Sequence, residues 1–311
     1  MSDPLVSVII PTYKRPNKLK RAINSVFNQT YKNWELIIVD DNNEGDEYRK
    51  ETVEFMKSYL NESKIYYIKH KQNKGGSTAR NTGIKNAKGK YVSFLDDDDF
   101  FLPEKIELQI NKALNDNLDI VYCGVEDVDE EGNFLKKRSK FVKQDFFKYQ
   151  IIYGLTVTSS LFIRKELLLE VDGFRDLISN QEADLLLRLL VKEKRIGYIK
   201  QILVKREVHT NARISNSGNK IKKIKNSFNI RKQYFNYLNK KEKNLVKQLY
   251  YLKLYREYIK YKNYKEAFKN YYFAIKSNFF DLRNLLECIY IILGYNKTNK
   301  LKQFLHKKLF N

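Results

Sequence analysis

Four consecutive carboxylates, Asp96–Asp99, are the residues of this 311-residue chain whose type and spacing best suit chemistry. They directly follow a short apolar run, Tyr91–Leu95, which is typical of a buried strand. Pro103 then suits the first turn of a helix. The cluster is therefore predicted to lie at the carboxyl end of a core strand, where ligands bind in open α/β sheets. Because adjacent carboxylates repel one another, a divalent cation would stabilise them.

A solvated acidic loop is the alternative interpretation of this cluster, and two further strand ends argue against it. The first predicted strand, Leu5–Ile10, runs into the polar segment Pro11–Tyr13, and the second, Glu35–Val39, runs into Asp40–Asp41. Helical periodicity separates these strands, and this alternation is typical of a parallel sheet. Since parallel strands end at one edge of a sheet, the polar groups should converge on one crevice.

The remaining periodic segments complete an α/β pattern with a mostly parallel sheet and flanking helices. Helices are predicted from Pro16, from Thr78 to Ala87, and after Ser179. Further strands are predicted at Ile65–Ile68, Ile120–Val125, Thr156–Ile163 and Gly197–Val204.

Two nucleotide-binding motifs are absent from the sequence. No G-x-G-x-x-G follows the first strand, and no G-x-x-x-x-G-K-[ST] occurs. These absences argue against a dinucleotide dehydrogenase and a P-loop NTPase. A crevice lined by carboxylates instead suits a diphosphate bridged by a metal ion.

The net charge of +22 is concentrated at the end of the chain. Residues 219–311 hold 23 Lys and Arg against 5 Asp and Glu, whereas residues 1–218 have a net charge of only +4. The sequence therefore predicts a globular domain of ordinary composition over 1–218 and a basic, Tyr-rich helical region over 219–311. Such asymmetry indicates a polyanionic partner, either a membrane surface or a nucleic acid.

Cysteine use and hydropathy indicate a cytosolic protein. Cys123 and Cys288 lie far apart in apolar runs, so both are predicted to be reduced core residues. Leu5–Ile10 is too short for a signal peptide. The apolar run Leu285–Gly294 contains Glu287 and is too short to cross a bilayer.

Five stretches occur in an order that is shared with one known family. They are Val6–Tyr13, Gln29–Asp41, Asn73–Ile84, the Asp cluster with Pro103, and Gly173–Phe174 with Gln181–Leu189. Together they resemble the family 2 glycosyltransferases with the GT-A fold, over residues 5–212. The resemblance implies a metal-dependent enzyme that transfers a sugar from a nucleotide-sugar to an acceptor hydroxyl, with inversion at the anomeric carbon.

The resemblance also implies roles for individual residues. It assigns donor binding to Pro11, Thr12, Tyr13, Asp41, Arg80, Asp96 and Asp97. Asp41 and the segment before it would hold the base, and Asp96 would lie towards the ribose. Mg²⁺ or Mn²⁺ would bind Asp98, with His209 near the metal and Asp99 in support.

The general base has two candidates. Glu182 occupies the second position of the family's E-D pair, where the family usually has Asp, and Asp184 follows it. Ser179 and Glu182 also fit a capping box, so Glu182 as a helix cap is the alternative. Asp184 precedes Arg188 by four residues, which favours a local ion pair. Glu182 lies on the same helix side as Leu186 and is therefore the predicted base.

Three other assignments have simpler alternatives. Asp40–Asp41 could form an Asx turn after a strand. Arg80 could be a solvated helix residue, and His209 a surface or core histidine.

The leading hypothesis is a glycosyltransferase of cell-surface polysaccharide or glycolipid synthesis. Its partners would be a UDP-linked sugar, a glycan or lipid-linked acceptor and an anionic membrane surface, with no nucleic acid. The enzyme would then be cytoplasmic and peripheral on the inner face of the membrane. A nucleic-acid-binding protein that uses the basic tail is one alternative, but it has no need of carboxylates at three strand ends. A nucleotidyltransferase should carry a Gly-rich loop after the first strand, and Pro11–Arg15 lacks glycine.

Overall fold

The computed structural model of the chain describes residues 3–59, 61–138, 141–142, 145–154, 157–208, 217–279, 281 and 283. The chain divides into two compact units, Met1–Ser215 and Asn216–Asn311. The division falls close to the predicted domain boundary between residues 218 and 219.

The described part of the first unit is built around one nine-stranded sheet with helices on its faces. The strands are β1 Val6–Thr12, β2 Trp34–Asp40, β3 Ile65–Lys69, β4 Tyr91–Phe94, β5 Asp99–Phe101, β6 Ile120–Val128, β7 Phe134–Lys137, β8 Leu161–Arg164 and β9 Ile196–Glu207. The helices are α1 Pro16–Phe27, α2 Glu47–Met56, α3 Gly76–Asn86, α4 Lys105–Asn115, α5 Phe146–Tyr153, α6 Lys165–Glu170 and α7 Gln181–Leu190.

The first half of the sheet is parallel, as predicted. Strands β3, β2, β1 and β4 lie side by side in that order, and each neighbouring pair is parallel. Their side chains alternate between two apolar clusters: Val8 packs in the cluster on one face, and Ile9 in the cluster on the other. Because helices cover both faces, these strands are apolar along nearly their whole length, which is typical of parallel sheets.

The second half of the sheet mixes directions. Strand β8 pairs antiparallel with both β4 and β6, and β6 pairs in parallel with β9. Strands β5 and β7 pair antiparallel with β9 and β6. The β9–β5 pair brings the end of the Asp cluster against a strand that lies about 100 residues later in the chain.

Two segments differ from their predictions. Asp99–Phe101, which begins with the last residue of the Asp cluster, forms strand β5, a strand that the sequence did not predict. In the run predicted as a strand, Thr156–Ile163, the first residue lies outside the described residues, Thr158–Ser160 forms a 3₁₀ turn, and strand β8 begins at Leu161. In that turn Ser160 Oγ donates to a backbone carbonyl three residues earlier, a local bond that competes with strand pairing.

Helix α4 begins at Lys105 with Glu104 as its N-cap, so Pro103 precedes the helix and does not occupy its first turn. Lys105 is fully buried. Its Nζ donates to Ser93 Oγ at 2.7 Å and lies 3.9 Å from the centroid of the Phe101 ring. Burial lowers the pKa of this ammonium to about 8. The core of the first unit therefore contains a buried ammonium group that is hydrogen-bonded to a side chain of strand β4.

Cys123 is buried and its thiol is free, which agrees with a reduced core residue. Burial raises the pKa of this thiol to about 11. Cys288 and the run Leu285–Gly294 lie outside the described residues.

The second unit contains the predicted basic helices over its described part. They are α8 Ser217–Lys232, α9 Lys240–Lys260 and α10 Tyr264–Ser277. Helix α9 packs against both of the others through aromatic pairs, Phe228 with Tyr250 at 4.0 Å and Tyr251 with Phe273 at 5.3 Å between ring centroids. Across the described residues of the chain, no helix has both the length and the apolar character of a membrane span.

Candidate active site

The carboxyl ends of the parallel strands converge, as predicted. Strands β1 and β2 pair so that Thr12 lies beside Asp40. Thr12 Oγ1 donates to Asp97 Oδ2 at 2.9 Å, across 85 residues of sequence. The backbone N–H of Tyr13 donates to the same oxygen, with 3.3 Å between N and O. The segment after β1 and the cluster after β4 therefore form one structural unit.

A cavity of about 420 Å³ opens at this edge of the sheet. Its volume falls in the range of pockets that bind small organic ligands. Eight of the ten predicted site residues line it: Pro11, Thr12, Tyr13, Asp41, Arg80, Asp96, Asp97 and Asp98. Glu182 is not part of this lining, and His209 lies outside the described residues.

Asp41 holds the loop that forms one wall of the cavity. Its carboxylate is buried and accepts hydrogen bonds from the backbone N–H groups of Lys74 and Gly75 and from Asn73 Nδ2. Gly75 has φ +83°, a conformation that glycine adopts without steric cost and that directs its N–H at Asp41. His70 Nδ1 lies 2.7 Å from the same carboxylate. Asp41 therefore fixes this loop through both of its carboxylate oxygens.

Asp40, and not Asp41, makes the local turn after β2. Asp40 Oδ1 accepts from the backbone N–H of Asn42 at 3.0 Å. Asp40 Oδ2 also forms an ion pair with Arg49 Nε at 2.9 Å and accepts from the hydroxyl of Tyr67. The Asx-turn alternative is therefore right for Asp40, while Asp41 reaches the loop 32 to 34 residues later.

Arg80 connects the Asp cluster to the beginning of helix α7. Its Nη2 donates to Asp96 Oδ1 at 2.5 Å, and its Nη1 donates to Gln181 Oε1 at 3.2 Å. Burial acts to lower the pKa of this guanidinium, but the charges of Asp96, Glu182 and Asp97 outweigh that effect and raise it. Arg80 is therefore a fixed cation in the cavity wall and not a solvated helix residue.

Asp97 and Asp98 share an arginine that the sequence interpretation missed. Arg15 Nη1 lies 3.2 Å from Asp97 Oδ1 and 2.5 Å from Asp98 Oδ2. Burial, together with the adjacent charge of Asp98, raises the pKa of Asp97 to about 6, although Arg15 and the Thr12 hydroxyl act in the opposite direction. Arg15 follows the first strand by three residues, so its position after a strand end was the available signal.

Asp99 is buried, is not part of the cavity lining, and is held by Ser159. Ser159 Oγ donates to Asp99 Oδ2 at 2.6 Å and accepts from the backbone N–H of Asp96 at 3.3 Å. Burial, with the charges of Asp96 and Asp98, raises the pKa of Asp99 well above its usual value. Through Ser159, Asp99 therefore helps to hold the backbone of the Asp cluster in place. No sequence signal identified Ser159, since it lies in a run that looked like an ordinary strand.

Glu182 is the second residue of helix α7, whose N-cap is Asn180. A capping box with Ser179 would require Glu182 to be the third helical residue, so this capping box is not formed. Burial raises the pKa of Glu182, opposed by its own backbone N–H and by the charge of Arg80. A raised pKa makes the carboxylate a better proton acceptor.

The strand that leads towards His209 is tied to helix α1. Glu207, at the end of β9, forms ion pairs with Lys18 and with Arg21, the latter at 2.5 Å. Arg21 Nη2 also donates to the backbone carbonyl of Asp98 at 2.7 Å. These contacts fix the end of β9 relative to the Asp cluster.

The donor set suits a hard divalent cation. Asp96 and Asp98 present carboxylate oxygens to the cavity, and Mg²⁺ or Mn²⁺ prefers oxygen ligands. The described residues contain no cluster of three or more metal-ligating side chains. Mg²⁺ is usually held by one or two carboxylates, with water and substrate phosphates completing its coordination.

The arrangement of sheet, helices and site defines a GT-A glycosyltransferase. A solved mannosyltransferase from Pyrobaculum calidifontis, PcManGT in complex with GDP-Man and Mn²⁺, shares the fold. The two superpose with a TM-score of 0.62 at 13% identity, over 94% of this chain and 81% of that protein.

Residues 7–170 match the family model described as Glycosyl transferase family 2, and the chain belongs to this family. It is 34% identical over 230 residues to an uncharacterized glycosyltransferase of Methanocaldococcus jannaschii. That match covers 72% of this chain and 76% of the archaeal protein. The resemblance seen in the five sequence stretches is therefore confirmed.

A relative with a named reaction matches a shorter stretch. The UDP-Glc:alpha-D-GlcNAc-diphosphoundecaprenol beta-1,3-glucosyltransferase WfgD of Escherichia coli is 38% identical over 126 residues. This match covers 40% of the chain and 47% of WfgD, so the chain matches about half the length of that relative.

Proposed function

We propose that this protein is an inverting, metal-dependent glycosyltransferase that transfers a sugar from a UDP-linked donor to a hydroxyl of a glycan or lipid-linked acceptor in cell-surface polysaccharide synthesis. The observation that carries the proposal is the cavity at the ends of three parallel strands. It combines carboxylates that suit a cation with a fixed arginine, beside the helix that carries Glu182.

The donor is proposed to occupy this cavity. Pro11, Thr12, Tyr13 and Asp41 would hold the base, with Asp41 sharing its oxygens with the loop that it already binds. Asp96 would lie towards the ribose, with Asp97 fixing the segment after β1. The positive charge of Arg80 suits the diphosphate. UDP is favoured because WfgD is named for UDP-Glc and shares 38% identity over the matched stretch.

Asp98 and His209 are the proposed metal ligands. A bound Mg²⁺ or Mn²⁺ would stabilise the negative charge that develops on the departing diphosphate. Mn²⁺ is present in the PcManGT complex, which shares the fold. The residues of this chain would supply the oxygen and imidazole ligands, and Arg80, which is hydrogen-bonded to Asp96, would add a second positive charge.

Glu182 is the proposed general base. In a single displacement, the acceptor hydroxyl loses its proton to Glu182 as its oxygen bonds to the anomeric carbon, and the bond to the diphosphate oxygen breaks. The nucleoside diphosphate leaves on the opposite face of the sugar, so the anomeric configuration inverts. Burial raises the proton affinity of the Glu182 carboxylate, in keeping with this role.

The second unit is proposed to place the enzyme on the inner face of the cell membrane as a peripheral protein. Its excess of Lys and Arg suits anionic lipid headgroups, and the acceptor named for WfgD is linked to diphosphoundecaprenol, a lipid. Membership of a glycosyltransferase family argues against the nucleotidyltransferase and the nucleic-acid-binding alternatives.

A screen of nucleotide-sugars tests the donor assignment. The full chain is melted with UDP-, GDP-, dTDP- and CMP-linked sugars, each with and without Mn²⁺. A true donor at a hundredfold excess over its dissociation constant should stabilise the protein by about 2.7 kcal/mol. The expected result is a shift with a UDP-sugar that depends on Mn²⁺. A shift with GDP-sugars alone would overturn the UDP assignment, and a product that retains the donor's anomeric configuration would overturn inversion.

A further inference from the structure

Helix α10 has one face that packs against helix α9 and one that does not. Ala267, Asn270 and Ala274 are buried and lie on the inward face, and Tyr271 contacts Tyr255 of α9 with 5.2 Å between ring centroids. The alanines at two of these positions, Ala267 and Ala274, allow the two helices to approach closely. Ala267, Asn270, Tyr271 and Ala274 therefore form the face of α10 that packs inward.

The outward face of α10 carries an aromatic stripe. Tyr264, Phe268 and Tyr272 are spaced four residues apart and therefore lie on the same side of the helix. Their exposed fractions are 54%, 55% and 59%. With a rise of 1.5 Å per residue, the stripe runs for about 12 Å along the helix axis.

A lysine stripe runs beside the aromatic one. Lys265, Lys269 and Lys276 are exposed, and at 100° per residue they lie within a narrow sector next to the three aromatic residues. Glu266, the acidic residue of this helix, forms an ion pair with Lys269 at 3.9 Å, and such a solvent-exposed pair is weak. The outward face of α10 is therefore half aromatic and half cationic along its length.

Exposed apolar side chains of the second unit concentrate at this helix. Within residues 217–279, the large apolar side chains that are exposed are Tyr237, Tyr261, Tyr264, Phe268, Tyr272 and Phe279. All except Tyr237 lie on α10 or within three residues of its ends. Soluble surfaces seldom expose such a patch without a binding function.

We propose that the outward face of α10 docks on an anionic lipid bilayer. We define this aromatic–lysine face as Tyr264, Lys265, Phe268, Lys269, Tyr272 and Lys276. The helix would lie parallel to the membrane plane, with the aromatic rings at the headgroup boundary and the ammonium groups against anionic headgroups. This inference rests on the proposed function, because it supplies the surface through which the enzyme reaches a lipid-linked acceptor.

The lysine charges on the outward face of α10 distinguish a bilayer from the other candidate occupants. A second copy of the chain that docked on the same face would bring two lysine stripes together, and like charges repel. An apolar protein groove would accommodate the rings but would leave the lysines without partners. An anionic bilayer provides an apolar boundary for the aromatic rings and negative charges for the lysines at the same time.

Vesicle flotation with the full chain tests the proposal. The probes are vesicles of phosphatidylcholine alone and vesicles in which about a third of the lipid is phosphatidylglycerol, each at low and high salt. One variant carries Lys265→Gln, Lys269→Gln and Lys276→Gln, and the matched control carries Lys222→Gln, Lys225→Gln and Lys241→Gln. The control removes the same charge from exposed positions outside the face. A third variant replaces Tyr264, Phe268 and Tyr272 by Ser.

The wild type should float with anionic vesicles and lose most of its binding at high salt. The face variant should bind roughly 100-fold more weakly, since each lysine near an anionic surface contributes about fivefold. The control should lose much less, and the Ser variant should lose binding even at low salt. Equal losses in the face variant and the control would overturn the proposal, as would undiminished binding of the Ser variant.

Transfer to a water-soluble acceptor is measured in parallel. It should be the same in all four proteins, because every substitution lies in the second unit and none is among the residues that line the cavity. Unchanged vesicle binding with normal transfer would reject the docking face and leave the proposed function intact. Normal vesicle binding without transfer by any of the proteins would reject the proposed function alone.

Discussion

Asp184 Oδ2 accepts a hydrogen bond from Arg188 Nε at 2.8 Å, one turn further along helix α7. The other two nitrogens of Arg188 donate to the backbone carbonyls of Val171 and Gly173. This buried network confirms the predicted ion pair and ties α7 to the loop that precedes it. Asp184 therefore has a structural partner, whereas the cations that act to lower the pKa of Glu182 are Arg80, in the wall of the cavity, and Arg206.

We expect Glu182→Gln to lower turnover by roughly 10²–10⁴-fold, because the amide keeps the shape but cannot accept a proton. Donor binding should hardly change, since Glu182 does not line the cavity. Asp184→Asn is the matched comparison, and it should cost stability more than turnover because it weakens a buried ion pair. Steady-state kinetics and donor binding by calorimetry give the two readouts.

The two variants can also reverse the assignment. If Glu182→Gln turns over normally while Asp184→Asn is folded and inactive, Asp184 is the base. Thermal melting of both proteins is needed with the kinetics, since an unfolded Asp184→Asn would imitate an inactive one.

Asp98→Asn tests the metal site. The substitution removes one negative charge at the position that pairs with Arg15, and the fold should survive. Transfer should fall at least about 10²-fold, because a cation that stabilises the leaving diphosphate contributes several kcal/mol. Binding of Mn²⁺ in the presence of nucleotide, followed by electron paramagnetic resonance, should be lost in parallel.

Asp116→Asn provides the control, since its carboxylate is exposed at the end of α4 and pairs with Lys112. It should match the wild type in both measurements. Full activity of the wild type in excess EDTA would contradict metal dependence.

Ser159→Ala tests whether Asp96 and Asp99 must be held in position for catalysis. The hydroxyl bridges Asp99 and the backbone of Asp96, so its loss should shift both groups. We expect roughly a tenfold fall in kcat/KM and a loss of about 1–2 kcal/mol in stability. Ser160→Ala is the matched control, because Ser160 Oγ donates only to a local carbonyl. Equal effects of the two substitutions would argue against a positioning role.

The parallel half of the sheet was predictable from local patterns. Strands buried on both faces are apolar along their length, and the helices between them show the 3.6-residue period, so β1 to β4 follow from the chain alone. The predicted strand Glu35–Val39 lies one residue inside the observed β2 at each end. The convergence of Thr12 with the Asp cluster then follows from the parallel direction.

The antiparallel half was not predictable in this way. Strand β5 is only three residues long, and its pairing partner β9 lies about 100 residues later. The contacts of Arg15 and Ser159 with the cluster span 83 and 60 residues, respectively. Such contacts depend on how the elements pack, and no local period in the sequence encodes them.

Lys105 gives a pH-dependent test of the core. Its folded pKa is about 8, below the ordinary 10.5, so the folded state bears the cost of a buried ammonium at neutral pH. Between pH 8 and 10.5 the folded state releases this proton while the unfolded state keeps it, so stability should rise with pH in that window. The full effect is about 3 kcal/mol.

Lys105→Met should remove the free-energy cost of burying the ammonium group. At pH 7 the variant should be more stable than the wild type by about 1–2 kcal/mol, after allowance for the lost hydrogen bond to Ser93. The difference should shrink or reverse as the pH rises above 8, because neutral Lys105 keeps that bond in the wild type.

Trp34, the single tryptophan, is buried in the first unit, so its fluorescence reports unfolding of that unit. Lys20→Met, at an exposed position, should change neither stability nor its pH dependence. A Lys105→Met protein that is less stable at pH 7 and keeps the wild-type rise between pH 8 and 10.5 would show that Lys105 is not the titrating group.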